Sequence, residues 1–139
     1  MCVEPQDAAV LVVEDNPDNL FIVSDLLQDE LHVRYYNGRA SGRQLFKLLD
    51  SKPESRIDLI LLDIQIPYED GYTVLRRIRQ LPALQSTKVV ALTANVMPQD
   101  IERARREGFD GFIGKPIHAD RFPEQIRRIL AGESVWEPR

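Results

Sequence analysis

Three short apolar runs in this chain end in side chains that do chemistry. AVLVV runs into Glu14 and Asp15, LILL into Asp63, and KVVAL into Thr93, while a fourth short run, GFIG, is followed by Lys115 and Pro116. An ionised carboxylate is costly to bury unless it is paired, so an aspartate closing a core run calls for a partner. Three carboxylates within ~4–6 Å would repel one another and raise at least one pKa. A hard divalent cation removes that cost, and Mg2+ suits such a set because it binds through a few carboxylates and keeps waters and substrate oxygens. Lys115 adds a positive charge facing the same point. An aspartate beside such a cation acts as a nucleophile toward phosphorus and forms an acyl phosphate. The cation and Lys115 would neutralise the phosphoryl oxygens, and Thr93 could donate a hydrogen bond to one of them.

For these residues to meet, the runs that carry them must be neighbouring strands. Apolar runs lie at 8–13, 31–36, 57–62, 88–92 and 111–114, and segments of helical period separate them. Leu20, Val23 and Leu27 repeat at three and four residues, as do Leu45, Leu48 and Leu49, then Val74, Ile78 and Leu81, then Phe122, Ile126, Ile129 and Leu130. The segment 98–107 is a helix with a thin apolar stripe, Ile101 and Ala104. Asn16 before Pro17 is a helix start, and Gly108 and Gly132 are helix stops. Strand and helix thus alternate five times. The first, third and fourth runs are apolar on both faces, as in a parallel sheet covered on both sides. Right-handed crossovers make this a doubly wound α/β sheet, where ligands bind outside the carboxyl ends of the strands.

The set Glu14-Asp15, Asp63, Thr93 and Lys115-Pro116, with Pro67 and Asp70-Gly71 after the central aspartate, resembles the receiver domain of two-component response regulators. The resemblance covers residues 8–131, leaving 1–7 as an N-terminal extension and 132–139 as a tail. It implies a flavodoxin-like fold, a five-stranded parallel sheet of order 2-1-3-4-5 with five helices. It implies Asp63 as phosphoacceptor, with Mg2+ held by Asp15, by Glu14 through water, by Asp63 and by the Gln65 backbone carbonyl. Lys115 is then the lysine paired with the acceptor, joined to Pro116 by a cis bond. Thr93 is the switch hydroxyl and Phe112 the switch aromatic, filling a space that Thr93 opens on phosphorylation. Gln65 and Asn95 occupy positions that tune dephosphorylation. A sensor histidine kinase or histidine phosphotransfer protein would be the donor, and a downstream protein the target. Both that target and a homodimer would use the face of the fourth helix, fifth strand and fifth helix. Such a receiver catalyses only its own phosphorylation and dephosphorylation.

Each residue has a plainer role available. Glu14 and Asp15 could cap the helix at Pro17, Thr93 could simply end a strand, Lys115 could sit on the surface, and Phe112 could be core packing. Asp70-Gly71 is expected as a turn into the next helix. Arg76, Arg77, Arg79, Arg103, Arg105 and Arg106 are expected on solvated helix faces, and His32 and His118 show no ligand pattern. Val135 and Trp136 make the tail unusually apolar, so it is either a frayed end or a segment docked on the domain or on a second subunit.

Composition closes off other classes. With 139 residues, 43% hydrophobic and 29% charged, the chain is one ordinary domain and not a disordered segment. A net charge of −4 disfavours non-specific nucleic-acid binding, and direct DNA binding is not expected. The single cysteine, Cys2, offers no internal disulfide or zinc site, and no apolar run reaches the ~18–20 residues of a membrane span, so a cytoplasmic location is the default. A haloacid-dehalogenase-type phosphatase would want a second acid where Gln65 stands. A flavin or nucleotide module would want glycines where the sequence has EDNPDN. A scaffold-only receiver would lack part of the acidic pocket. The chain therefore reads as a stand-alone receiver or as one taken from a larger hybrid kinase or response regulator.

Overall fold

Leu59, Ile60, Leu61 and Leu62 are each 0% exposed, and the strand they begin lies inside the sheet with a neighbour on either side. The computed structural model describes residues 3–51, 56–66, 69–94 and 96–137. Cys2, Pro67 and Asn95, singled out above, lie outside the described residues. Strands β1 (Ala9–Val13), β2 (Tyr35–Arg39), β3 (Leu59–Asp63), β4 (Lys88–Thr93), β5 (Gly111–Gly114) and β6 (Trp136–Glu137) alternate with helices α1 (Pro17–Asp25), α2 (Gly42–Ser51), α3 (Gly71–Arg79), α4 (Pro98–Glu107) and α5 (Phe122–Leu130). All the pairings are parallel, in the order β2-β1-β3-β4-β5-β6. This is the expected doubly wound sheet and order, lengthened by a sixth strand.

The period-two pleat divides the core into two layers. Val10, Val12, Leu59, Leu61, Val90, Leu92 and Ile113 pack with Val23 of α1 and with Phe122, Ile126 and Ile129 of α5. Leu11, Val13, Ile60, Leu62, Val89, Ala91 and Phe112 face the other way, onto Leu45 of α2, Val74, Leu75 and Ile78 of α3 and Ala104 of α4. Apolarity on both faces of β1, β3 and β4 is thus the signature of burial by helices on both sides. The helix signals act as expected. The Asn16 side chain accepts from the backbone N–H groups of Asp18 and Asn19, Asp70 Oδ1 accepts from Tyr72 N–H, and Gly108 ends α4 at a φ of 109°.

Two expectations need correcting. The second strand is not 31–36. Leu31 and Val33 are buried, but they close α1, which continues as a π-helical turn over Leu26–Glu30. Leu31 N–H bonds to Leu26 O, Val33 N–H to Leu27 O, and His32 has a φ of 58°, which no extended strand allows. The true strand, YYNGR, is polar because it forms the sheet edge and is only half-buried.

The tail is the second: it adds a strand to the expected five, and of the readings offered for it, docking on the domain is the one seen. Val135 is 1% exposed, Phe112 N–H donates to Val135 O at 2.8 Å, and β6 adds itself to β5. At the other terminus, Val3 N–H bonds to Leu130 O.

The arginines lie on exposed helix faces as expected, except for half-buried Arg79, and several find partners there. Arg79 donates to Asp110, Thr87 O and Gly108 O, and Arg76 pairs with Glu107. Arg77, Arg103 and Arg105 lie over the rings of Phe46, Tyr72 and Trp136.

Candidate functional site

The carboxyl ends of β1, β3, β4 and β5 bring the chemically active residues to one rim. Backbone hydrogen bonds past the strand ends hold them there. Glu14 N–H bonds to Arg39 O at 2.9 Å, Ile64 N–H to Leu92 O at 3.1 Å, and Lys115 N–H to Thr93 O at 2.8 Å. Gly71 supports the turn behind Asp63, because a Cβ there would lie 2.6 Å from the Ile64 Cα. The Lys115–Pro116 peptide is cis, as the resemblance implies.

Lys115 reaches back across the rim to two acids. Its Nζ donates to Glu14 Oε1 at 2.6 Å and to Asp63 Oδ2 at 2.8 Å. Both acids are almost wholly buried, at 1% and 2% exposure. Asp63 Oδ1 accepts from Gln65 N–H at 2.9 Å. Burial and the facing Asp63 carboxylate outweigh Lys115 and push the Glu14 carboxyl up to about 7. Burial works against the charge on Asp63, yet the hydrogen bonds it accepts from Glu14, Lys115 and Gln65 N–H hold it below the usual carboxylate range. Burial likewise disfavours the Lys115 ammonium, but its bonds to Asp63 and Glu14 raise its pKa overall. Of the two acids, Glu14 is thus the one whose carboxyl is easier to protonate.

The donor set fits a hard divalent cation. Glu14, Asp15 and Asp63 each offer a carboxylate oxygen, all within 4.8 Å of one another. Glu14 Oε2 is buried with no hydrogen-bond partner among the described residues, and a cation or proton would satisfy it.

The other expected residues are placed as follows. Thr93 is 1% exposed at the end of β4. Gln65 is exposed just past the acceptor. Phe112 lies on β5, already at 0% exposure and covered on its edge by the tail strand. Phe112 thus already lies inside, in the core layer that faces α2, α3 and α4. One contributor was not foreseen from sequence. Glu69, in the loop after β3, accepts from the backbone N–H groups of Gly42 and Arg43 and so ties that loop to the start of α2. Val135, in the apolar tail that the sequence did single out, holds Phe112 through its carbonyl. Glu69 binds backbone N–H groups, which leave no residue-type pattern, so no signal in the sequence marked it.

The family model described as the response regulator receiver domain matches residues 10–127. The chain is 36% identical over 124 residues to the polar-differentiation response regulator DivK of Brucella anthropi, covering 88% of this chain and 95% of that protein. It is 35% identical over 127 residues to the signal transduction histidine-protein kinase BarA of Escherichia coli K12; these span 91% of this chain but only 13% of the kinase. Among solved structures, it resembles the receiver domain of the sensor histidine kinase PA1611 of Pseudomonas aeruginosa PAO1. That likeness has a TM-score of 0.73 at 29% identity over 91% of this chain and 98% of that one, and that structure carries a magnesium ion coordinated in its active site cleft.

Proposed function

Because this chain belongs to the response regulator receiver domain family, we propose that it is a phosphorylation switch whose acceptor is Asp63. The donor is a phosphohistidine on a histidine kinase or phosphotransfer protein. An Asp63 carboxylate oxygen attacks phosphorus, the O–P bond forms as the N–P bond breaks, and the imidazole leaves with the bonding pair. Mg2+, held by Asp15, Glu14, Asp63 and the Gln65 carbonyl, would supply neutralising charge at the phosphoryl oxygens. Lys115 and Thr93 do the remaining work. The ammonium, already 2.8 Å from Asp63 Oδ2, balances the incoming negative charge, and the Thr93 hydroxyl donates to a phosphoryl oxygen. Water later hydrolyses the acyl phosphate, with Gln65 and Asn95 tuning its approach. The chain turns over no external metabolite.

The observation that carries this reading is the buried pair of acids on one ammonium, with a Glu14 oxygen that has no partner among the described residues. The output is a change in the α4–β5–α5 face, read by a downstream protein in the cytoplasm or by a second receiver. Inverting a 1:99 population of two states would require phosphorylation to favour one of them by about 5.5 kcal/mol.

The test is labelling with acetyl phosphate. Wild type is expected to take up acid-stable, base-labile phosphate only with Mg2+ present, and Asp63→Asn to take up none. Magnesium-dependent labelling of that variant at another residue would overturn the assignment.

A further inference from the structure

We propose that residues 135–137 are a latch, docked across β5 while Asp63 is unmodified and released when the site carries a phosphoryl group. The inference rests on the receiver reading above and adds the element that moves.

The tail is built into the face that is to change. Phe112 pairs with Trp136 and Ile113 with Glu137, and Phe112 N–H donates to Val135 O at 2.8 Å. Gly111 makes that approach feasible, since a Cβ there would stand 2.8 Å from Val135 O. The three tail side chains bridge the neighbouring helices. Val135 joins the core layer that contains α5. Trp136 packs on the opposite layer beneath Arg105 of α4, whose guanidinium carbon is 4.5 Å from the ring centroid. Glu137 accepts from Gln125 at 2.9 Å and Arg128 at 2.7 Å, both on α5, with Arg121 at 3.6 Å.

The latch also lies in line with the chemistry. Lys115 follows β5 directly, and its N–H is bonded to Thr93 O, so the ends of β4 and β5 move together. A dianion on Asp63 pulls the Lys115 ammonium and the Thr93 hydroxyl toward itself. Phe112, fully enclosed, cannot take up the displacement by swinging inward. The part of this edge that yields is β6, a two-residue strand at the end of the sheet whose own residues are half-exposed.

Linkage supplies the reciprocal statement: if modification frees the tail, freeing the tail favours modification. Trp136 is the sole tryptophan and reports directly. Saturating wild type with beryllofluoride and Mg2+, an unreactive phosphoryl mimic, should red-shift Trp136 emission and raise its quenching by acrylamide. Glu137→Gln should expose Trp136 without the mimic and lower the beryllofluoride concentration for half-saturation about fivefold, a coupling at the modest end of those between linked sites. Occupancy is read separately by fluorine NMR. Full occupancy with Trp136 still protected would overturn the latch and leave the receiver reading intact. Equal binding by Asp63→Asn, or none by wild type, would overturn the receiver reading and the latch with it.

Discussion

Lys115 holds two buried carboxylates on one ammonium, and that ratio sets what its removal should do. Breaking a buried ion pair from one side leaves uncompensated charge and commonly costs 3–5 kcal/mol. Here Glu14, already raised to about 7, can take a proton and relieve part of the strain. Lys115→Ala is therefore expected to cost about 3 kcal/mol, the low end of that range. Urea unfolding in EDTA measures it, and adding Glu14→Gln should recover part of the loss. No recovery would mean that the two acids do not share the lysine. Asp63 needs no such rescue, because its oxygens keep the Gln65 N–H and whatever proton Glu14 holds.

At the scale of elements, two acids outside the site fasten pieces of chain to it. Glu69 accepts from Gly42 and Arg43 N–H, the role of a helix cap supplied from another loop. Glu69→Ala should destabilise by about 1 kcal/mol, as a lost cap does, with faster amide exchange at the start of α2 and little change at α5. Glu137 fastens β6. The hydrogen bond from Gln125, then Arg128, holds its carboxyl below the usual range, so the unfolded chain binds its proton more readily than the folded one. Its contribution is full above about 4.5, the ordinary glutamate value, and is lost as pH falls through the lower folded value. Trp136 should become quenchable over that acid range in wild type, while Glu137→Gln shows the same quenching at pH 3.5 and pH 7. A pH-dependent release retained in the variant would assign the anchor elsewhere. The strands that carry the site were legible for a physical reason: buried parallel strands must be apolar on both faces, and a charge at the end of such a run stands out. β2 was not, because an edge strand of type YYNGR has no apolar pattern, while Leu31 and Val33 imitated one from within a turn. β6 was not either. Its docking depends on a space beside Gly111 that only the folded sheet creates. Likewise, the spacing of Arg77, Arg103 and Arg105 along their helices carries no trace of the rings they cover.

For the whole molecule, the rim draws on β1, β3, β4 and β5, so its occupancy should be felt by the sheet as a unit. Glu14 and Asp15 follow β1, Asp63 ends β3, Thr93 ends β4, and Lys115 follows β5. A ligand bound there only in the folded state stabilises the fold by mass action, about 2.7 kcal/mol when its concentration is a hundredfold above its dissociation constant. For a domain of this size that corresponds to a rise in melting temperature of roughly 5–10 °C. Magnesium chloride added to EDTA-treated wild type should produce such a rise, and sodium chloride at matched ionic strength should not. Asp15→Asn removes the charge from one of the three converging carboxylates without touching the Lys115 pairs, so it should fold normally and lose most of the magnesium increment. The variant separates a cation held by these acids from one that merely screens the net charge of −4, since screening would stabilise both proteins alike. An equal increment in the two would place the cation elsewhere and leave the Glu14 oxygen to be satisfied by its proton alone.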